Sequence, residues 1–347
     1  MFLLYHCPMS FSIGIIGLPN VGKSTIFKAL TKKEVKIAPR AFTTIDPNIG
    51  KVIVPDKRLQ DLSAIIKPEK TTPTTIEFVD IAGLVKGAHK GEGLGNQFLA
   101  QIKNCDAIIQ IVRVFDKPEI ENILGEINPE KEIEVINVEL LMKDLETLQN
   151  AVSKMKKKEE VKKSETLEKV KDQISQGSLV SEIDLTDREK MEIKEYQLLT
   201  TKLIIYILNT NGKTEFSKPL FNHLLINLKD EEEFLDLSDE EQKELGFQSQ
   251  LDKVILACYN ILDLITFFTV AGGKEVRAWT ITKNAEIKEA GNKVHSDFKD
   301  KFIRAEVISY DELALSASWT KAKEKGLVKT VGKDYKVKDG DVIEFKI

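Results

Sequence analysis

The chain has 347 residues, 42% of them apolar and 31% charged, with a net charge of −4. Length and composition describe a soluble globular protein of two or three domains rather than a membrane or disordered chain. A charge so near neutral sets up no global field toward nucleic acid, so any such contact needs a local basic patch.

Residues 1–8 read as a dispensable extension before Met9, too short for a signal peptide and without a basic start. Phe11 to Ile16 is a β-rich apolar run. It leads into Gly17-Leu18-Pro19-Asn20-Val21-Gly22-Lys23-Ser24, which fits the G-x-x-x-x-G-K-[ST] phosphate-binding loop at every position. Thr25 to Leu30 then reads as a helix. The glycines let successive backbone N–H groups turn toward phosphate oxygens, and the new helix adds its positive end. The pattern assigns Asn20, Val21, Gly22, Lys23, Ser24 and Thr25 to the nucleotide. Lys23 is placed on the β- and γ-phosphates, as a catalytic group, and the Ser24 hydroxyl on Mg²⁺. In several P-loop NTPases an Asn at the position of Asn20 helps to hold K⁺ beside the phosphates, so K⁺ is a further candidate; the plainer role is bracing the loop.

The stretch from Ala38 to Asn48, with two prolines and paired threonines, is a loop. Thr44 is the first choice, and Thr43 the second, for the threonine that reaches Mg²⁺ and the γ-phosphate. Ile49 to Val54 alternates weakly and predicts a strand. Thr74 to Asp80 is a stronger β-rich run, ending in Asp80, which is placed for Mg²⁺, and followed by Gly83, whose N–H can approach the γ-phosphate. Leu84 then stands where Ras-type GTPases carry the Gln that orients water. The Gly-rich segment from Gly87 to Asn96 reads as a mobile loop, and its His89 as an ordinary exposed histidine. Gln97 to Lys103 reads as a helix and Asp106 to Phe115 as a buried parallel strand. Gln110 inside that strand needs a hydrogen-bond partner, for which the backbone is the simple candidate.

From Asn128 to Leu199 the composition shifts to Lys and Glu. Val138, Leu141, Leu145, Leu148 and Val152 recur at helical spacing and predict a helix of about 25 residues. A charged bend near Lys156–Lys163 and a return segment complete an antiparallel coiled-coil hairpin. Leu203 to Leu208 is the next core strand. It ends at Asn209-Thr210-Asn211-Gly212, where GTPases place Asn-Lys-x-Asp. Gly212 removes the carboxylate that pairs with guanine, while Asn209 retains a group for the adenine edge, with Thr210 beside it. Leu251 to Leu264 is an apolar helix, Val276 to Ile281 a strand, and Ala285 to Phe298 helical. Tyr335 to Phe345 alternates about Asp339-Gly340 and predicts a hairpin, so a small β-grasp domain fits. The three cysteines are far apart and lack metal spacing, which points to a reduced, cytoplasmic setting.

The phosphate-binding loop, Thr44-Ile45-Asp46-Pro47-Asn48, Asp80 to Ala88 and Gly91 to Leu99 resemble the YchF (Obg-like ATPase) family. Phe268 to Thr280 and Gly332 to Asp341 resemble its C-terminal TGS domain. The resemblance implies an α/β P-loop NTPase domain, G-domain-like, with an inserted helical arm and a C-terminal β-grasp TGS domain. The expected boundaries are 9–130 and 199–264 for the nucleotide domain, 131–198 for the arm and 265–347 for TGS. It also implies ATP preferred over GTP, association with the ribosome through the large subunit or ribosomal RNA, and Phe115 packed on the base. Lys154, Lys156, Lys157, Lys158, Lys162 and Lys163 near the arm's tip would then meet RNA phosphates, although such a run is also an ordinary solvated face. The resemblance implies a His where this chain has Gln110, and a Glu where it has Gly212. The expected activity is a slow Mg²⁺-dependent ATPase acting as a ribosome-associated factor. A GTPase switch and a nucleotide-holding module without turnover are the alternatives.

Overall fold

The computed structural model describes residues 11–37, 48–81, 94–154, 161–212 and 223–346. Its strands in chain order are β1 (Ser12–Ile16), β2 (Ile49–Ile53), β3 (Lys70–Thr72), β4 (Thr75–Asp80), β5 (Ala107–Arg113), β6 (Ile204–Asn209), β7 (His223–Ile226), β8 (Leu264–Ala271), β9 (Glu275–Thr282), β10 (Arg304–Ser309), β11 (Lys329–Val331) and β12 (Asp341–Lys346). The first five helices are α1 (Lys23–Ile37), α2 (Lys57–Ile66), α3 (Leu94–Asn104), α4 (Pro129–Lys154) and α5 (Val161–Ser175). The described residues divide into two compact units, one within 11–51 and 77–251, the other within 52–76 and 252–346.

The first unit is built on a sheet of order β2-β4-β1-β5-β6-β7. Strand β1 pairs in parallel with β4 and β5, β5 with β6, and β6 with β7. Every residue of β5 is buried, as a central parallel strand covered on both faces requires. The order places β1 at the centre, so the loop that follows it opens between β4 and β5 at their carboxyl ends.

Helix α4 has 26 residues, close to the length that its periodicity predicts. Its buried side is not quite the expected one. Val138 is 46% exposed, while Ile133, Ile136, Leu140, Leu141 and Leu148 are buried. The helix serves two cores in turn: Ile133 meets β5 and β6, and Leu141 and Leu148 meet Leu167, Val170 and Ile174 of α5. After α5 the return is not a plain coiled coil. Gly177 at φ +93 ends the helix, and the Thr186–Glu189 capping box opens a short one over Asp187–Ile193. Leu179, Val180, Leu185, Ile193 and Leu198 enlarge the arm's own core. Asp144 of α4, 1% exposed, accepts hydrogen bonds from Leu199 N (2.7 Å), Thr200 N (2.8 Å) and Thr200 Oγ1 (2.7 Å).

The second unit carries a mixed sheet of order β11-β10-β12-β8-β9-β3. Strand β12 runs antiparallel to β10 and parallel to β8, so the expected hairpin of 335–345 does not form. The cause is burial. Asp341, Val342 and Ile343 are all buried, which favours a central place for β12 over one strand of an isolated hairpin. Tyr335 and Val337 instead pair along Ala285 and Ile287, and Asp341 caps the turn by accepting from Lys338 N at 2.9 Å. The helical stretch at 285–298 is two helices, Ile287–Val294 and Ser296–Lys301, broken where His295 is extended. Residues 52–76 join this unit: α2 buries Leu59 and Leu62 against Phe268, Val276 and Val342, and β3 pairs with β9. Arg58 binds Asp56 and Asp339 there.

Candidate functional site

The site begins where β1 stops. Gly22 has φ +110, and a Cβ there would stand 2.7 Å from Asn209 Nδ2. A Cβ on Gly17 would stand 2.6 Å from the Ile111 carbonyl oxygen. Both positions therefore need glycine for conformation or space. Asn20 takes φ +65, a left-handed value that Asn tolerates better than most residues. Leu18 and Val21 are buried and anchor the loop.

Lys23 opens α1 and is 8% exposed. Its Nζ donates to Gly17 O at 3.1 Å and Leu18 O at 2.8 Å, so the ammonium closes the loop on itself. Burial lowers its pKa, and the charge of Asp80 opposes that shift. Ser24 Oγ donates to Asp80 Oδ2 at 3.2 Å. Asp80 stands at the end of β4, paired in register with Ile15 of β1, and its backbone N–H is held by Asn48 O at 2.8 Å. Burial raises the Asp80 carboxyl, against the Ser24 hydrogen bond and the Lys23 charge. One hydroxyl and one carboxylate oxygen thus meet beside the phosphate loop. This donor set suits Mg²⁺, which takes one or two protein oxygens and completes its shell with water and substrate phosphates. Thr43, Thr44, Gly83, Leu84 and His89 lie outside the described residues.

At the other end, Asn209 finishes β6 and is buried. Its Nδ2 donates to Val21 O at 2.9 Å and its Oδ1 accepts from Leu228 N at 3.2 Å. The side chain ties the phosphate loop to the helix Leu228–Glu233. Thr210 Oγ1 accepts from Gly212 N at 3.1 Å. Gly212 has φ +76, and a Cβ there meets nothing within 4 Å. Asn211 Nδ2 reaches Asp116 O at 3.5 Å, which brings the 209–212 corner to the segment after β5. Phe115, half-buried, lies on that segment.

Three buried polar residues of this region stand outside the sequence motifs. Arg113 is 3% exposed and lies under the Phe115 ring. Glu132 of α4, 2% exposed, accepts from Arg113 N at 2.9 Å. Gln110 is fully buried, yet among the described residues neither Nε2 nor Oε1 has a partner, so the described backbone does not satisfy it as expected. An Arg inside an apolar strand run was the available signal for the first two, since a buried charge demands partners. Among the described residues no helix is long and apolar enough to cross a membrane, and Cys105 and Cys258 are free and buried. Lys156, Lys157 and Lys158 fall outside the described residues.

A family model described as 50S ribosome-binding GTPase matches residues 12–143, and one described as YchF-GTPase_C, a protein of unknown function, matches residues 264–347. The ribosome-binding ATPase YchF of Escherichia coli O157:H7 is 44% identical over 97% of this chain and 99% of its own length. That of Bacillus subtilis (strain 168) is 41% identical over the same shares. The solved structure of the Schizosaccharomyces pombe YchF GTPase is 33% identical, covers 97% of this chain and 98% of its own, and superposes with a TM-score of 0.87. With the phosphate loop, the inserted helical pair and the C-terminal sheet all in place, the chain belongs to the YchF family.

Proposed function

We propose that this chain is an Mg²⁺-dependent P-loop ATPase that hydrolyses ATP to ADP and phosphate and works as a nucleotide-gated factor on the ribosome, in the cytoplasm. The observation that carries the reading is the junction of Lys23, Ser24 and Asp80, with Ser24 Oγ 3.2 Å from Asp80 Oδ2. Lys23 exchanges its two loop carbonyls for phosphate oxygens when a triphosphate enters. Ser24 and Asp80 would hold Mg²⁺, with Thr44 as the third protein oxygen. An Mg²⁺ ion held there would supply positive charge against the phosphates. The backbone of residues 20–25 binds the phosphates, Gly83 N–H the γ-phosphate, and Phe115, Asn209 and Thr210 the base.

Relatives are named both as ATPases and as a GTPase, so the base must be argued from this chain. Gly212 brings no carboxylate to pair with guanine N1–H and N2–H₂. ATP therefore binds at least as tightly as GTP. Calorimetry on the purified protein with Mg²⁺ tests this, and GTP binding more than tenfold tighter would make the chain a GTPase switch. Leu84 cannot orient water, so turnover is slow and the ribosome is the first candidate to accelerate it. The relatives' names and the run of lysines in the sequence between α4 and α5 support a ribosomal partner. Co-sedimentation with ribosomes, compared with Lys156, Lys157 and Lys158 replaced by Glu, tests the contact. Unchanged binding and salt dependence would leave those lysines as a solvated face.

A further inference from the structure

Arg113 ends β5 where the chain enters the loop that carries Phe115. A buried guanidinium is costly unless its N–H groups are satisfied. Here Nε donates to Phe115 O at 3.2 Å, Nη1 to Ile120 O at 3.0 Å and Glu121 O at 3.1 Å, and Nη2 to Lys117 O at 3.2 Å. The loop from 115 to 121 is therefore wrapped around this one side chain, its carbonyls turned inward. The guanidinium carbon also lies 4.4 Å from the Phe115 ring centroid, in cation–π range. One face of the ring is thus occupied by Arg113, while Phe115 as a whole stays half-exposed.

The same loop touches both ends of the nucleotide site. Asp116 O faces Asn211 Nδ2 at 3.5 Å, beside the corner proposed to read the base. Glu121 O faces Asn20 Nδ2, also at 3.5 Å, in the phosphate loop. Fixing this loop fixes the distance between base platform and phosphate loop. A rigid, already placed ring loses less entropy on stacking than one that must be ordered at binding.

We propose that Arg113 is the positioning residue for the nucleotide base: it backs the Phe115 ring on one face and, through four loop carbonyls, holds the other face ready for the purine. The inference rests on the proposed reading that Phe115 packs on the base. Stacking accepts any purine, so Arg113 sets nucleoside affinity without choosing between adenine and guanine. Lysine retains the charge but not the planar fork, and cannot reach four carbonyls at once.

The experiment measures affinities of ATP, GTP and inorganic tripolyphosphate for wild type, Arg113→Lys, Phe115→Ala and the double variant. Arg113→Lys is expected to weaken ATP and GTP alike, by about tenfold, within the range of one base–aromatic stack. Tripolyphosphate, having no base, should stay within about twofold, because its contacts lie on the phosphate loop. The double variant should bind ATP no worse than Phe115→Ala. If Phe115→Ala weakens ATP while Arg113→Lys does not, the Arg113 role is overturned and the platform stands. If Phe115→Ala binds ATP as wild type does, the platform reading itself fails. Equal loss of tripolyphosphate would reduce Arg113 to general structural support. Should the Arg113 variant fail to fold, a crystal structure of wild type with a non-hydrolysable ATP analogue decides. A purine on the Phe115 face opposite an undisturbed guanidinium upholds the inference, and a guanidinium that has left the ring overturns it.

Discussion

Glu132 offers a pH-dependent test of how the arm's first helix joins the nucleotide unit. Its carboxylate is 2% exposed and accepts from Arg113 N at 2.9 Å. Burial pushes its pKa from 4.5 up to about 7, against the Arg113 N–H bond and the Arg113 charge. The folded protein therefore holds this proton more tightly than the unfolded chain does. The sign follows from linkage: Glu132 favours folding most below pH 4.5, loses that contribution as the pH rises to about 7, and costs a constant amount above it. The span of about 2.5 pH units, at about 1.4 kcal/mol each, makes the full cost about 3 kcal/mol. Glu132→Gln abolishes the titration and keeps an oxygen for the Arg113 N–H. Its extra amide N–H, left without an acceptor, takes back about 1 kcal/mol. We expect the variant to be about 2 kcal/mol more stable at pH 8, and no more stable than wild type at pH 4.5. Urea unfolding without nucleotide, followed by far-UV circular dichroism, measures this at both pH values. Tryptophan fluorescence is the wrong probe, because Trp279 and Trp319 both belong to the C-terminal unit. A stability gap of the same size at pH 4.5 and pH 8 would refute the reasoning.

Gln110→Leu should stabilise the protein by about 1–3 kcal/mol, because it removes two buried amide atoms that have no partner among the described residues. A lower urea midpoint for the variant would count against that account. Asp144→Asn should destabilise by about 2–4 kcal/mol, since the amide turns a donor toward one of the N–H groups that the carboxylate now binds. Unfolding midpoints that agree with wild type would show that these bonds carry little of the arm's attachment. For the candidate K⁺ role of Asn20, the test is steady-state ATP hydrolysis in KCl and NaCl at equal ionic strength: rates that differ for wild type and coincide for Asn20→Ala would support it. Equal wild-type rates in both salts would leave Asn20 only its contact with Glu121 O.

The sequence by itself determined what depends on neighbours along the chain. Eight contiguous positions specify the phosphate loop, because a strand, a glycine turn and a helix start are all local decisions. The largely apolar run of β5 marked a parallel sheet, and period 3.6 marked α4 nearly to its length. The missing carboxylate at Gly212 could be read as a single letter. Other features were settled only in three dimensions. Periodicity could not say that α4 would serve two cores in succession, so Val138 was assigned to a face that water keeps. An Asp-Gly turn could not reveal that β12 would find β10 and β8 on either side, since burial on both faces outweighs a local hairpin. Nothing local in residues 52–76 pointed to β9, some two hundred positions away, or to the bond between Arg58 and Asp339. Arg113 is the same lesson inside the site: its letter said only that a charge sat in an apolar strand. Which carbonyls would turn inward to satisfy it, and which ring would cover it, depended on how the following loop folds back, because the cost of a buried charge is settled by whatever surrounds it in space.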